Sequence, residues 1–212
     1  MTEQQQSLDA IHDIKKMMER SSRFISLSGL SGVSAGVCAL IGAWLAHPYV
    51  YGYKNLFIDI NQPYTYDATV YLNTWLFWIA MGTFVAALLS AFVFTYIKSK
   101  KDGTPIWGKT ARRLMINVLI PVAVGGIFLL SMMQYGTFGL VAPGCLLFYG
   151  LALINASKYS LNELRYLGYC EIILGIINLN FVGYGLYFWA AGFGILHIAY
   201  GVYMWYNYER EN

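Results

Sequence analysis

The chain has 212 residues, of which 58% are hydrophobic and 12% charged, against about a quarter charged in soluble globular proteins. A mean hydropathy of +0.49 and a net charge of +3 exclude a soluble domain and a nucleic-acid surface, and they point to an integral membrane protein. Apolar stretches of about 20 residues, each long enough to cross a hydrocarbon core of roughly 30 Å, recur along it.

Residues 1–23 come first and are mostly polar. Leu8, Ile11, Ile14, Met17 and Met18 lie at helical spacing opposite Asp9, Asp13, Lys15, Lys16 and Glu19. This pattern predicts a short cytoplasmic amphipathic helix, with Ser7 as its cap, lying on the inner headgroup layer or against the bundle. No cleavable signal is read, so the first apolar stretch is taken as a retained span.

Six spans are predicted, at about 24–46, 69–97, 113–133, 136–156, 161–180 and 184–206, followed by a tail at 207–212. They occupy about two thirds of the chain, and the fold class is an all-α bundle of six transmembrane helices. Span 1 carries Ser28, Gly32 and Gly36 beside Ser31, Ala35, Ala39 and Ala43, two ridges of small side chains that admit a second helix at close range. Another helix of the same chain is the default partner, and a homo-oligomer through this face is the alternative. The outward loop at about 47–68 is dense in tyrosine (Tyr49, Tyr51, Tyr53, Tyr64 and Tyr66), as suits interfacial anchoring. Trp44, Trp75, Trp78 and Trp189 fit an outer aromatic belt, and Trp107 and Trp205 an inner one.

Spans 3 and 4 form a tight antiparallel hairpin, with Pro121 and Pro143 as candidate kink sites. Ser160 and Glu163 have the form of a capping box opening span 5. Cys38, Cys145 and Cys170 all fall inside spans without metal-ligand spacing and read as small buried hydrophobes. Thirteen of the 14 Lys and Arg residues fall on one side of this topology, with only Lys54 opposite. The positive-inside rule then places both termini in the cytoplasm.

The chemistry concentrates in spans 5 and 6. Glu171 and His197 sit at mid-span, where an ionised side chain costs roughly 2.5–3.5 kcal/mol on insertion scales unless it is neutralised or partnered. Each lies between glycines on one helix face: Gly168 and Gly175 around Glu171, Gly194 and Gly201 around His197. An antiparallel hairpin sets Gly168 opposite Gly201, Glu171 opposite His197 and Gly175 opposite Gly194, with Asn178 continuing the small polar stripe. The expectation is a carboxylate–imidazole contact across a glycine-lined seam.

Three functions compete for this pattern. The first is a non-enzymatic regulatory or structural membrane module with a buried Glu–His contact. The second is a proton-linked small-solute carrier or channel, with Glu171 as proton acceptor. The remote third is a rhomboid-like serine protease, resting on Gly29-Leu30-Ser31-Gly32 and His197. No P-loop, zincin motif, haem pair or carboxylate cluster appears, so no catalytic residue, cofactor or metal is assigned. The partners read are the bilayer and, as the alternative at span 1, a second copy of the chain; no nucleic acid is expected.

The stretches Met18-Glu19-Arg20-Ser21-Ser22-Arg23-Phe24-Ile25-Ser26-Leu27-Ser28-Gly29-Leu30-Ser31-Gly32, Phe148-Tyr149-Gly150-Leu151-Ala152, Arg165-Tyr166-Leu167-Gly168-Tyr169-Cys170-Glu171 and Gly194-Ile195-Leu196-His197-Ile198-Ala199-Tyr200-Gly201 carry a resemblance. Through them the chain resembles a group of uncharacterised six-span inner-membrane proteins of Bacteroidota with no established activity. The resemblance implies a bacterial cytoplasmic-membrane location and brings no activity with it.

Overall fold

The computed structural model describes residues 28–52, 75–103 and 106–210. The expected amphipathic helix at 1–23, most of the tyrosine loop and Lys54 lie outside the described residues. Within them the chain is all-helical, and no strand occurs. Helix α1 is Gly29–His47, extended by a π turn at Pro48–Gly52. Helices α2 (Trp75–Lys101) and α3 (Lys109–Gln134) follow. A 3-10 turn at Phe138–Leu140 leads into α4, Val141–Ala156, and α5 is Leu164–Leu179. The last helical run, α6, covers Val182–Tyr208.

Five of these helices are long and apolar enough to cross a membrane. The exception is α5. Its 16 residues span about 24 Å at 1.5 Å per residue. Tight turns, with Leu164 N–H donating to the Leu161 carbonyl and Arg165 N–H to that of Asn162, delay the helix start to Leu164. The Glu163 carboxylate is occupied elsewhere, accepting from the Tyr208 hydroxyl at 2.7 Å.

Neighbouring helices run antiparallel, and contacts at the two ends fix this. At one end Glu209 accepts from the Gly29 N–H at 2.5 Å, from the Ser28 hydroxyl at 3.3 Å and from Lys98 Nζ at 3.2 Å. One carboxylate thus caps the orphan donors opening α1 and holds the last turn of α2. At the other end His47 Nε2 meets the Tyr187 hydroxyl at 3.1 Å, and the space beside Gly139 is filled by Val182.

Small residues decide which helices meet. Helix α1 lies along α6, where Gly29, Gly32 and Gly36 bring their backbone against Gly201 and Gly194. Gly42 receives Thr83 of α2. Helix α4 packs on α5 through Gly150 against Gly168, and on α3 through Gly144 against Leu129 and Gly125 against Phe148. Asn155 of α4 donates to the Asn117 carbonyl of α3 at 3.0 Å. The glycine face of α1 is therefore packed against α6 of the same chain, the default partner expected for it. Pro121 lies inside the unbroken helix α3. Pro143 falls in the first turn of α4, where a missing N–H costs nothing. Cys170 is exposed, unlike the buried position expected, while Cys38 and Cys145 are half-buried.

Candidate polar site between helices 4, 5 and 6

Helix α5 buries one stripe: Leu164, Leu167, Gly168, Glu171, Gly175 and Asn178. The intervals of three and four residues keep them on one face, and Ile173, Ile176 and Ile177 are exposed on the other. This is the stripe that the periodicity predicts. Glu171 lies roughly 10 Å from one end of α5 and 12 Å from the other, and it is completely buried.

Helix α6 is not uniform. An α segment at Gly185–Trp189 passes into a π segment at Ala190–Leu196, and His197–Tyr208 resumes the α-helix. His197 stands at that junction. Its ring reaches back five residues, and Nδ1 is 3.0 Å from the Gly192 carbonyl oxygen. A carbonyl only accepts, so Nδ1 carries the hydrogen. In the neutral ring Nε2 then accepts from the Tyr149 hydroxyl of α4 at 2.9 Å. Tyr149 also stacks on the imidazole, with centroids 5.4 Å apart, and Phe193 lies over the ring at 5.9 Å.

The carboxyl of Glu171 completes the cluster. Oε1 is 3.4 Å from His197 Nδ1, within ion-pair range. Neither carboxyl oxygen has a hydrogen-bond partner among the described residues, because the Nδ1 hydrogen is directed at Gly192. The carboxyl is seated on Gly192 itself. A β-carbon there would collide with Oε2 of Glu171 and with Leu146. An ionised carboxylate buried without a donor costs several kcal/mol, so a proton on the carboxyl or on the ring compensates it.

The sequence therefore brings Glu171 and His197 together correctly, but not by the register it suggested. Gly168 packs on Gly150 and Ile154, and Gly175 on Leu147 and the Pro143 carbonyl, all of α4. Gly194 packs on Leu40 and Gly201 on Gly29 and Val33, all of α1. None of the four lines a seam between α5 and α6. The two helices meet around their turn and the π segment and then diverge, because the glycines of α1 and α4 draw each toward a different neighbour. Asn178 is fully buried but stands two turns from Glu171, and its amide donates to the Phe181 carbonyl at 3.0 Å, closing the turn.

Two partners were not found in the sequence. Tyr149 carries a hydroxyl at mid-span on the facing helix, a signal that was present but unpaired. Gly192 sits in the small-residue run Ala190-Ala191-Gly192, and nothing in that run announces a π turn. The protease dyad does not form. The Ser31 hydroxyl donates to the Ser28 carbonyl at 2.5 Å, and both ring nitrogens of His197 are engaged elsewhere. A cavity of about 360 Å³ lies at the Glu209 end, lined by residues including Ser28, Lys98, Trp205 and Tyr208, with none of Glu171, His197 or Tyr149 in its wall. No family model, no curated protein and no solved structure matches this chain.

Proposed function

We propose that the chain is a six-crossing membrane protein of the bacterial cytoplasmic membrane, with both termini inside. It acts as a non-enzymatic regulatory or structural module whose central fastening is the Glu171–His197–Tyr149 cluster. The observation that carries this reading is the enclosure of the Glu171 carboxyl, which is 0% exposed and seated on Gly192. A group so enclosed, with its imidazole neighbour bonded on both nitrogens, acts as a link among α4, α5 and α6. It does not present itself to a solute.

The proposed sidedness is supported by the contacts at the Glu209 end. They gather the start of α1, the end of α2 and the end of α6 with Glu163 of the α4–α5 connection. Lys98, Lys100, Lys101, Lys109, Arg112, Arg113, Lys158, Arg165 and Arg210 lie in or beside those segments, as the positive-inside rule requires of a cytoplasmic face. The location in a bacterial inner membrane rests on the family resemblance.

The test is purified protein reconstituted in vesicles. Glu171→Gln and His197→Ala are expected to lower thermal stability while leaving proton flux unchanged. Removing the ring strands the Tyr149 hydroxyl and the Gly192 carbonyl, at about 1–3 kcal/mol for each buried group left unpaired. A proton flux that falls with Glu171→Gln in a protein that still folds overturns the module reading. The proton-linked carrier would then take its place, a second reading favoured by the two carboxyl oxygens that lack donors.

A further inference from the structure

His197 has one Nδ1 hydrogen and two acceptors within reach. The Gly192 carbonyl is at 3.0 Å and Glu171 Oε1 at 3.4 Å, and they come from different helices. The ring is pinned at its other end by the Tyr149 hydroxyl, so the choice between the acceptors is made by a small ring movement and not by a rotamer change. The Gly192 carbonyl belongs to the π segment and lies five residues before His197, the spacing of the π ladder itself. Gly192 is also the residue against which the carboxyl sits. The two acceptors are therefore neighbours and rivals for one hydrogen, with the nearer Gly192 carbonyl holding it in the structure.

We propose that Glu171 and the Gly192 carbonyl compete for the His197 Nδ1 hydrogen, so that loss of the Glu171 proton transfers this hydrogen bond to the carboxylate and releases a carbonyl of the π segment. This deepens the module reading and rests on it: the fastening becomes a proton-responsive one. When Glu171 carries its proton the carboxyl is neutral and a poor rival, and Gly192 keeps the hydrogen bond, as in the structure. When that proton leaves to solvent or buffer, the carboxylate becomes the stronger acceptor, since charge-assisted hydrogen bonds are about twice as strong as neutral ones. The Nδ1 hydrogen stays covalently on the ring throughout, and only its acceptor changes. The Gly192 carbonyl is then left with its place in the five-residue backbone ladder of the π segment alone.

The titratable groups facing Glu171 are His197 of α6, Tyr149 of α4 and, beyond Tyr149, Tyr200 of α6. No Lys, Arg or Asp of the described residues forms an ion pair with it. The response is thus set by the pair itself and not by a distant charge.

The chain has three histidines, so nitrogen-labelled His197 is resolvable in the full-length protein in bilayers, assigned with His12 and His47 replaced. Magnetic-resonance spectra across a pH series are expected to show the Nδ1–H tautomer throughout. The Gly192 carbonyl signal should shift as the Glu171 carboxyl loses its proton, followed in parallel by its infrared carbonyl band. In Glu171→Gln the tautomer persists and the Gly192 shift is lost. An Nε2–H tautomer, a Gly192 signal indifferent to Glu171 ionisation, or a response surviving in Glu171→Gln each overturns the proposal. The titration of the unmodified protein decides the matter even where the variant does not fold. Unchanged thermal stability of the variants would sink the module reading separately, leaving these spectra intact.

Discussion

Gly201→Ala tests the packing of α1 against α6. An added β-carbon at Gly201 would lie 2.5 Å from both the Gly29 carbonyl oxygen and the Val33 nitrogen, backbone atoms with no rotamer to retreat to. Ordinary contact needs 3.4–4 Å, so the helices must part locally by about 1 Å, and overpacking of this kind costs about 1–3 kcal/mol. The helix-propensity gain of alanine over glycine, about 1 kcal/mol, offsets part of that. Gly126→Ala supplies the control, because a β-carbon at Gly126 on α3 meets nothing within 4 Å and collects the propensity gain alone. Unfolding in mixed micelles should therefore rank Gly201→Ala below wild type and Gly126→Ala at or above it, the two variants separated by about 1–3 kcal/mol. Equal stabilities for the two variants would refute the assigned packing. A disulfide forming readily between cysteines placed at 201 and 168, but not between 201 and 33, would restore the α5–α6 seam instead.

Other expectations follow from the polar contacts. Glu171→Ala opens the space that Gly192 borders, so Gly192→Ala, which alone should destabilise by about 1–3 kcal/mol, is expected to cost markedly less in the Glu171→Ala background; a double-mutant cycle by thermal unfolding measures that coupling, and strict additivity would count against the contact. Tyr149→Phe removes the hydroxyl bonded to His197 Nε2 and should cost about 1–3 kcal/mol, with the His197 nitrogen signal shifting in the same variant. Glu209→Gln weakens both the cap on α1 and the Lys98 pair, a loss of about 0.5–2 kcal/mol for the cap. Proteolysis near Ser28 is its readout, and an unchanged cleavage rate would show that the carboxylate does not hold that end.

What the residues alone determined is the all-helical class, with helices long and apolar enough to cross a membrane, and the buried stripe of α5, because hydropathy and helical period are local properties written into composition and spacing. They also determined that Glu171 and His197 need partners, since an ionisable group amid apolar helices is costly to bury alone. Only the tertiary structure decided which partners those are. Gly29, Gly150, Gly168, Gly194 and Gly201 each allow a close approach without naming its neighbour, and the register that pairs Gly168 with Gly201 satisfies the spacing as well as the real one does. The choice was made by the competition among six helices for a few small-residue faces. The π segment belongs to the same category: no window of its own sequence announces it, yet it carries both the Gly192 carbonyl that holds His197 and the Gly194 that packs on α1.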